Sequence, residues 1–495
     1  MKFIVKLFPE IIIKSRPVRL QQLKRLKTNM RIILKAIHPS VRVGGNWDVL
    51  EVDAGSDCPT AKAIELSDAL TRIPGIANFT EAKEFPLGDF DTIAEQTLAA
   101  VGNDLDGKTF RVRVKRSGNH DFRSVDLERH VGGVLNEQTA AAGVNLKEPD
   151  ISVTLEVRKD RLFIVSNRRE GMGGYPLGTQ EYVATLISGG YDSSVAAWQM
   201  MRRGLCTHFI FFNLGGQAHE DGVKEIAHFL WHRFGASHPV TFVSVPFEPV
   251  VEEILTQVDN SHMGVVLKRQ MMQAADKIAE RLGAVALVTG EAIAQVSSQT
   301  LINLQVIDRS VDRLILRPLI TSDKQVIIDQ AKAIGAAAFS EVMPEYCGVI
   351  SRRPTTRARQ HIVEHEEQRM NEEVLQWAID NAVFESIHDV VRPVSALTEV
   401  PVGDAANTDA VVLDVRHPDD VERAPIAVAG HDVQVLPFYR VQGQFPALDQ
   451  DKEYWLYCPK GVMSKLQALQ LQDAGYKNVR LCPSDVVNYV GSGSR

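Results

Sequence analysis

The chain has 495 residues, of which 44% are hydrophobic and 24% are charged, and its formal net charge is −7. The length predicts several domains rather than one core, and the composition is ordinary for a soluble globular protein. No apolar run reaches the roughly 18 residues that a membrane span needs. The N-terminus is interrupted by Lys2, Lys6 and Lys14 and lacks the pattern of a signal peptide. We therefore expect a cytoplasmic protein with no membrane association.

The cysteines are far apart in the sequence, and no two of them form a Cys-x-x-Cys pair. They are Cys58, Cys206, Cys347, Cys458 and Cys482. This spacing argues against a zinc site, an iron–sulfur cluster or a disulfide framework. Single-cysteine chemistry in a reducing compartment is the functional interpretation, and a small buried hydrophobe is the structural alternative for each.

The first segment of the chain is small and basic. "KFIVKLF" predicts a strand, the apolar spacing from Val18 to Ile37 predicts a helix, and "WDVLEV" predicts a second strand. Between Met1 and Lys35 there are ten lysines and arginines and one acid, Glu10. The asymmetry favours a nucleic-acid-facing surface, although a solvated helix face gives the same pattern. The candidate nucleic-acid contacts on the helix are Lys24, Arg25, Lys27 and Arg31.

A second segment runs from about Thr60 to Val165 and contains an alternating strand. In "TFRVRVKR" three apolar side chains face one way and three basic side chains face the other, which indicates a strand with a basic, exposed face. The helix "DLERHVGGVLNEQ" follows, and "ISVTLEVRKDRLFIV" predicts a hairpin that turns near Lys159 and Asp160. The candidate nucleic-acid contacts here are Arg111, Arg113, Lys115 and Arg116.

Beyond a glycine-rich connector at residues 170–180, apolar strands alternate with helices. The strands are "EYVATLIS", "THFIFFNL", "PVTFVSVPF", "AVALVTG" and "RLILRPLI". This alternation predicts a doubly wound parallel sheet. A charged helical stretch from His361 to Asp380 leads to a linker at residues 391–409, and a last unit begins with the buried strand of "AVVLDVRHPDD".

The turn "SGGYDS" joins the first strand of the doubly wound sheet to its first helix. Ligands of such sheets bind at the carboxyl ends of the strands, where helix N-termini direct free N–H groups toward anions. Gly189 and Gly190 allow close approach of the backbone, and Ser188, Ser193 and Ser194 add hydroxyl groups. The sequence therefore predicts an anion cradle, which is neither a Walker A loop nor a G-x-G-x-x-G fingerprint. For a Gly-Gly pair alone, an ordinary capped turn is the better interpretation.

This turn resembles the pyrophosphate loop (PP-loop) of the ATP pyrophosphatases, with Tyr191 at the variable position. "TGEAIAQVSSQT", "RPLITSDKQ", "MPEYCGVISRRPTT", "FFNLGG" and "MGVVLKR" resemble the tRNA 4-thiouridine synthases. "VKRSGNHDFRSVDLERHVGG" is similar to the THUMP RNA-binding domain, and "VVLDVRHPDD" with "LYCPKGVMS" is similar to a rhodanese domain. The resemblance covers nearly the whole chain in the right domain order.

The resemblance implies an α/β multidomain protein. Its expected parts are an N-terminal ferredoxin-like domain (residues 1–58), an α+β THUMP domain (59–168), a PP-loop ATP pyrophosphatase domain built on the doubly wound parallel sheet (176–390) and a C-terminal α/β rhodanese domain (404–495). The implied reaction is ATP-dependent sulfur transfer to C4 of a tRNA uridine, position 8 in this family, through an adenylated uridine. Transfer of AMP to the C4 oxygen turns a poor leaving group into a good one.

The resemblance also assigns the nucleotide site. The implied ATP contacts are Leu186, Ile187, Ser188, Gly189, Gly190, Asp192, Ser193, Lys268, Gly290 and Gln299. Asp192 is expected to help hold Mg²⁺, whose charge offsets that of the phosphates. Lys324 is the candidate cation for charge that develops on phosphate, and a solvated lysine at a helix start is the alternative.

Two cysteines are assigned to the sulfur chemistry. Cys458 follows the strand "YWLY" and precedes a helix, so backbone N–H groups can surround its sulfur, and it is the expected persulfide carrier. Pro459 lacks an N–H and removes one such donor, which Lys460 compensates with charge. In the family a cysteine at the position of Cys347 resolves the reaction through a redox disulfide with the carrier, Cys347–Cys458. The other three cysteines are expected to be structural.

The implied partners are tRNA, a cysteine desulfurase as sulfur donor, a cellular reductant and a thiazole sulfur-carrier protein for thiamine biosynthesis, with a homodimer as a possible assembly. Two other functions stay open at this point. One is a different PP-loop ligase, which has no use for the THUMP-like and rhodanese-like segments. The other is a non-catalytic tRNA-binding adaptor, which has no use for Asp192, Lys324, Cys347 and Cys458.

Overall fold

A computed structural model describes the chain apart from residues 47–48, 56, 215, 341–350, 352, 391–399, 405–406, 408, 417–420, 423–424, 438–439, 459–461, 484–485 and 490–495. Two compact units are present. The first is Met1–Gln180 with Met201–Leu205 and Arg233–His238, and the second contains the remaining residues. Within the described part, no helix is long and apolar enough to cross a membrane.

The first unit is built on one eight-stranded sheet. Its strands are β1 (Lys2–Leu7), β2 (Arg42–Asn46), β3 (Val49–Asp53), β4 (Ile76–Pro86), β5 (Thr109–Ser117), β6 (Gly143–Val144), β7 (Ile151–Arg158) and β8 (Arg161–Glu170). Its helices are α1 (Pro9–Ile12), α2 (Arg16–Ile37), α3 (Thr60–Leu70), α4 (Phe90–Val101) and α5 (Ser124–Gln138), and a 3₁₀ turn spans Gly102–Leu105.

The strand order β2-β3-β1-β4-β8-β7-β5-β6 divides this sheet into two halves. The first half, β2-β3-β1-β4, is antiparallel and has the connectivity βαββαβ, with its core between the sheet and α2 and α3. Pairing of β4 with β8 joins it to the second half. The division expected between residues 58 and 59 falls between β3 and α3, inside the first half.

The alternating strand predicted for the second half is β5. Phe110, Val112 and Val114 are buried, whereas Arg113 and Lys115 on the other face are exposed. The predicted hairpin is the antiparallel pair β7–β8, and its turn at Lys159 has a positive φ of 55°. Both predictions are therefore confirmed.

The second unit contains a six-stranded sheet. Its strands are β9 (Tyr182–Leu186), β10 (Cys206–Asn213), β11 (Thr241–Pro246), β12 (Ala286–Val288), β13 (Leu314–Leu316) and β14 (Val383–Ser386). The helices are α6 (Tyr191–Arg202), α7 (Gly216–Leu230), α8 (Glu248–Gln257), α9 (Met263–Leu282), α10 (Leu301–Asp308), α11 (Lys324–Ile334), α12 (Ala337–Ser340), α13 (Gln360–Glu367) and α14 (Glu372–Asp380). A π-helical turn spans Trp231–Gly235 and a 3₁₀ turn spans Ser297–Gln299.

The order of this sheet, β13-β12-β9-β10-β11-β14, confirms the predicted doubly wound arrangement. The five predicted strands are parallel, and β14 adds an antiparallel edge beside β11. The chain runs from β9 outward to β10 and β11 and then returns to β12 on the opposite side of β9. The carboxyl ends of β9 and β12 therefore form the topological switch point, where ligands of such sheets bind.

The C-terminal part of the second unit has a small parallel sheet of its own. The elements are β15 (Val411–Asp414), β16 (Ile426–Val428), β17 (Asp432–Val435), α15 (Val441–Gln444), a 3₁₀ turn (Phe445–Ala447), β18 (Tyr454–Tyr457), α16 (Val462–Asp473), β19 (Val479–Leu481) and β20 (Val487–Tyr489). The strands β17-β15-β18-β19 are parallel, and β16 pairs with β20. Strand β18 is buried along its whole length, as its sequence predicts.

Candidate active site

The predicted anion cradle is the loop between β9 and α6, and hydroxyl groups hold its shape from within. The Ser193 hydroxyl accepts a hydrogen bond from the backbone N–H of Ser188 (3.3 Å) and donates to the Gly190 carbonyl (3.1 Å). Ser194 donates to the same carbonyl at 2.9 Å. Gly189 has a φ of +83°, a conformation that favours glycine. The loop is thus a closed turn placed at the switch point.

A contact from a distant part of the chain fixes one peptide of this loop. The Ser340 hydroxyl, at the end of α12, is buried and donates to the Gly189 carbonyl oxygen at 2.9 Å. In a trans peptide the carbonyl and the following N–H point in opposite directions. Because Ser340 holds the Gly189 oxygen, it also sets the direction of the Gly190 N–H, one of the predicted donors to phosphate.

Gly290 lies where the loop approaches the end of β12 most closely. A Cβ atom at Gly290 would lie 2.5 Å from the Asp192 carbonyl carbon and 2.7 Å from the Ser193 nitrogen, so any side chain would displace the start of α6. The predicted nucleotide residues Gly290, Asp192 and Ser193 are therefore neighbours. Glycine is required here for close packing of two backbones.

Asp192 is the centre of a charged group at the start of α6. Lys324 Nζ lies 2.9 Å from both carboxylate oxygens of Asp192, and Gln295 Nε2 donates to Oδ2 at 2.9 Å. The Lys324 ammonium also lies 5.8 Å from the centre of the Tyr191 ring. Lys324 is 42% exposed and Asp192 is 26% exposed, so both remain accessible to a ligand. The structure brings together the predicted carboxylate and the predicted cation.

Glu291 organises a second charged group beside the first. Its carboxylate is buried and accepts hydrogen bonds at Oε2 from Arg317 Nε (2.9 Å) and Thr289 (3.0 Å). Lys268 Nζ lies 3.7 Å from Oε1, and Arg317 also pairs with Asp308. Burial opposes ionisation of Glu291, but the charges of Lys268 and Arg317 outweigh it and hold its pKa below the ordinary value. Glu291 is therefore an anion that keeps the predicted ATP contact Lys268 at the site.

The remaining predicted nucleotide contacts lie around the same edge of the sheet. Leu186 ends β9, and the Ile187 N–H donates to the Ile210 carbonyl at 2.9 Å. Gln299 lies in the 3₁₀ turn before α10, and its side-chain oxygen accepts from the Ala292 N–H at 3.4 Å. The turn between Ala292 and Gln299 includes Ala294, which has a positive φ of 63°.

A buried histidine contacts the loop from the side of α7. The His219 ring packs edge-on against Phe211, with ring centres 4.8 Å apart. Burial lowers the pKa of His219 to about 4, against smaller opposing effects of a hydrogen bond to the Ser188 backbone and of the Glu220 charge. His219 is therefore neutral near pH 7 and adds no charge to the cradle.

Cys458 lies directly after β18 of the C-terminal sheet, just as the PP-loop lies directly after β9. Its sulfur accepts a hydrogen bond from the Ser464 backbone N–H at 3.4 Å and lies 3.5 Å from the Ser464 hydroxyl. Both groups belong to the first turn of α16, so the N-terminus of this helix faces the sulfur. Pro459 and Lys460 lie outside the described residues, and so does Cys347, the predicted partner of Cys458 in the redox disulfide.

The three cysteines expected to be structural differ in burial. Cys206 is buried at the start of β10, whereas Cys58 and Cys482 are half-buried. Cys58 packs against the core beneath α2 and α3, and Cys482 packs beside Trp455. Structural roles for these three cysteines stay a prediction.

The predicted RNA contacts of the first unit lie on α2 and β5. Lys24 and Arg25 are exposed, whereas Lys27 and Arg31 donate to the backbone carbonyls of Gly45 and Val43 in β2. On β5, Lys115 makes no ion pair within the described part of the chain. Arg111 donates to Ser152, Arg113 pairs with Glu128, and Arg116 contacts Phe122 and Ser124.

The site offers one carboxylate to a metal. Among the described residues, no group of three or more His, Cys, Asp or Glu side chains is placed to hold a metal ion. Mg²⁺ in nucleotide sites is commonly held by one or two carboxylates together with phosphate oxygens and water. The accessible carboxylate of Asp192 fits that mode of binding and does not fit a metal site made by protein ligands alone.

Comparison with known proteins identifies the family. A tRNA sulfurtransferase of Pseudomonas putida is 51% identical over 481 residues, which cover 97% of this chain and 99% of that protein. The tRNA sulfurtransferases of Pseudomonas aeruginosa (52% identical) and Shewanella halifaxensis (50% identical) also align with 97% of this chain and with 99% of their own length. The chain belongs to the tRNA sulfurtransferase family. Family models agree, since that of thiamine biosynthesis protein (ThiI) matches residues 178–372 and that of the THUMP domain matches residues 88–167.

Solved structures extend the comparison to the fold. The crystal structure of a 4-thiouridine synthetase–RNA complex with bound ATP is similar at a TM-score of 0.69 and 27% identity, covering 78% of this chain and 99% of that chain. A Pyrococcus horikoshii protein is similar in fold alone, at a TM-score of 0.51 and 18% identity. The predicted THUMP domain and PP-loop-type domain are thereby confirmed in this member of the tRNA sulfurtransferase family.

Sequence reasoning missed four side chains of the site: Gln295, Glu291, Arg317 and Ser340. The first three lie within segments that carry the family resemblance, "TGEAIAQVSSQT" and "RPLITSDKQ", but their roles depend on contacts between those segments. The Ser340–Gly189 contact joins residues 151 positions apart, and no local pattern marks it.

Proposed function

We propose that the chain transfers sulfur from an enzyme persulfide to C4 of a tRNA uridine, at position 8, in an ATP-dependent reaction that gives 4-thiouridine. The observation that carries the proposal is the pairing of Lys324 with Asp192 at 2.9 Å beside the PP-loop, at the switch point of the sheet. The chain's membership of the tRNA sulfurtransferase family and its likeness to an ATP-bound 4-thiouridine synthetase support it.

The first step proposed is activation of the uridine. ATP binds with its phosphates at the N–H groups of the Ser188–Ser194 loop, and the uridine C4 oxygen attacks the α-phosphate. The oxygen–phosphorus bond forms as pyrophosphate leaves. Lys324 and Lys268 are the cations that offset charge on the phosphates, each held before binding by a carboxylate. Mg²⁺ at Asp192 would supply further charge neutralisation.

The second step proposed is delivery of sulfur from Cys458. We infer that residues 404–495 form a rhodanese domain, and the four-stranded parallel sheet with a cysteine directly after β18 supports this. The terminal sulfur of the Cys458 persulfide attacks C4, and AMP leaves with the former C4 oxygen. Attack of the Cys347 thiolate on the Cys458 sulfur then releases 4-thiouridine and forms a disulfide between the two cysteines. A cellular reductant returns both to thiols.

The proposed partners follow from these steps. A cysteine desulfurase loads Cys458 with sulfur. The tRNA binds through α2 and β5 of the first unit, and the THUMP match over residues 88–167 supports the part played by β5. The same persulfide is proposed to supply a thiazole sulfur-carrier protein in thiamine biosynthesis, in keeping with the description of the matching family. Two copies of the chain are proposed to form a homodimer.

Mass spectrometry of tRNA nucleosides tests the proposal directly. Unmodified tRNA is incubated with the protein, ATP, Mg²⁺, cysteine and a cysteine desulfurase. We expect 4-thiouridine only when ATP is present, together with one pyrophosphate for each 4-thiouridine. A different PP-loop ligase would leave the tRNA unmodified, and an adaptor would bind tRNA without releasing pyrophosphate. Either result contradicts the proposal.

A further inference from the structure

The segment at residues 353–359 lies against the loop that leads into α10. The buried side chain of Asn303 connects the two: its amide donates to the carbonyls of Ser297 and Thr355, both at 2.8 Å, and its oxygen accepts from the Ala358 N–H at 2.9 Å. Thr300 adds a hydrogen bond to the Thr356 carbonyl at 2.8 Å. The position of this segment is therefore fixed relative to α10.

The same loop reaches the nucleotide site. Gln295 donates a hydrogen bond to Asp192. The 3₁₀ turn that follows begins at Ser297 and ends at Gln299, and the Ser297 carbonyl accepts a hydrogen bond from Asn303. Residues 292–303 thus form a short, hydrogen-bonded connection between the PP-loop and the segment at 353–359. A molecule bound on that segment lies next to the site of activation.

This segment carries exposed positive charge. Arg353, Arg357 and Arg359 are exposed, and their guanidinium groups pair with no carboxylate among the residues that the structure describes. Several other arginines of the second unit pair with acids, as in Arg269–Glu367 and Arg317–Glu291. Three arginines in one seven-residue segment, with no carboxylate partner among the described residues, are therefore unusual in a chain whose net charge is −7.

Two exposed aliphatic side chains lie at the start of α10, next in the chain to the residue that contacts this segment. Leu301 is 70% exposed and Ile302 is 43% exposed in the first turn of α10, directly after the Thr300–Thr356 contact. Proteins that open or bend nucleic acids place aliphatic side chains of this kind against bases, while arginines contact the neighbouring phosphates. We call Arg353, Arg357, Arg359, Leu301 and Ile302 together the arginine surface.

We propose that the arginine surface is a second tRNA-binding site, on the catalytic unit itself, which contacts the RNA backbone and a base beside the uridine to be activated. The proposal rests on the proposed function, because it names the partner of the same site. Phosphates are the ligands that three arginines without carboxylate partners fit best. The surface would hold the target nucleotide near Asp192 while α2 and β5 bind another part of the tRNA.

The test is the salt dependence of tRNA binding by the full chain. In the triple variant Arg353→Gln, Arg357→Gln, Arg359→Gln, the slope of log K against log salt should fall by about two to three, roughly one per phosphate contact. A matched control, Lys277→Gln, Lys332→Gln, Lys452→Gln, removes the same charge from exposed positions of the same unit. The control should keep the wild-type slope.

A second variant separates the aliphatic part of the surface. Leu301→Ser with Ile302→Ser should weaken tRNA binding several-fold and leave the salt slope unchanged, because contact with a base releases no counterions. An unchanged affinity in this variant would limit the surface to phosphate contacts and would contradict the proposed base contact.

The arginine result decides between tRNA and a protein partner. An unchanged slope in the arginine variant, or an equal fall in the control, overturns the proposal. Slower persulfide loading by a cysteine desulfurase, with tRNA binding unaltered, would assign the surface to a protein instead. This test measures tRNA binding and does not depend on thiolation. If the wild-type protein binds tRNA but makes no 4-thiouridine, the proposed function is contradicted, and the binding test of the arginine surface can still be carried out.

Discussion

Two loops of the second unit share one design and differ in what they hold. Ser188–Ser194 follows the buried strand β9 and opens α6, and Cys458 follows the buried strand β18 and lies against the start of α16. In each loop a serine in the first helical turn contacts a residue that comes just after the strand, Ser193 with Ser188 and Ser464 with Cys458.

The difference lies in where the donors point. In the first loop the serine hydroxyls bond to the loop itself, which leaves N–H groups of the turn for an external anion. In the second loop the helix N-terminal N–H donates to a sulfur that belongs to the chain. In the proposed function, one geometry serves a bound nucleotide in one sheet and a covalent sulfur carrier in the other, so activation and sulfur carriage should be separable by mutation.

The largest expected effect comes from removing the charge of Asp192. In Asp192→Asn, thiolation should fall about a thousandfold, because Lys324 loses its partner and the phosphates lose their metal-binding carboxylate. Persulfide loading of Cys458 should be unchanged. Asp323→Asn, next to Lys324 and without a capping hydrogen bond, is the matched control and should behave as wild type. Equal losses in thiolation and loading would contradict separate tasks for the two loops.

Removal of the Lys324 charge should have a somewhat smaller effect. Lys324→Gln keeps a hydrogen-bond donor near Asp192 but loses the cation, and we expect a fall in kcat of about a hundredfold. The rate of single-turnover 4-thiouridine formation at saturating ATP is the measurement. A change confined to the KM for tRNA would instead make Lys324 a surface lysine that contacts RNA.

The contact that shapes the PP-loop from outside should matter less. Ser340→Ala removes about 1 kcal/mol of hydrogen bonding to the Gly189 carbonyl, and a free Gly189–Gly190 peptide should raise the KM for ATP about fivefold. Neither the tRNA Kd nor persulfide loading should change. The control is Ser67→Ala, a buried serine of the first unit. A lower melting temperature with an unchanged KM for ATP would reduce Ser340 to a packing role.

The smallest expected effect is on the cysteine loop. Ser464→Ala removes the hydroxyl 3.5 Å from the Cys458 sulfur but keeps the backbone N–H that donates to it. Persulfide loading should slow only about threefold, since a neutral hydrogen bond to sulfur is weak. The rate of persulfide loading is measured by stopped flow with a persulfide donor across pH 6–9. A hundredfold loss would mean that the hydroxyl acts on a proton in the reaction.

The sequence was informative wherever one local segment carries the signal. Buried parallel strands appear as apolar runs, so β9 to β12 and β18 could be predicted, and the PP-loop could be recognised from six consecutive residues. Strand β13 is also an apolar run, although Leu314 is exposed. Strand β2 includes Gly44 and Gly45 and has no such run, and β14 is largely exposed along an edge. Each of these two strands forms by pairing with a neighbouring strand, β2 with β3 and β14 with β11. Neither has a local sequence pattern that marks it, and neither was predicted.

The candidate site shows the same limit. Asp192 and Lys324 could be named from motifs, but their contact spans 132 positions and the Gln295–Asp192 contact spans 103. Which side chains meet is decided by the order of strands at the switch point. Glu291 is likewise informative only after folding, when Lys268 and Arg317 lie on either side of it.

The most direct test of separate tasks is pyrophosphate release by Cys458→Ser in the presence of ATP and unmodified tRNA. The PP-loop, Asp192 and Lys324 are intact in this variant, so we predict a first turnover of tRNA-dependent pyrophosphate release near the wild-type rate, with no 4-thiouridine in the product. Absence of pyrophosphate from Cys458→Ser, while tRNA and ATP still bind, would contradict the account, because activation would then require the sulfur carrier.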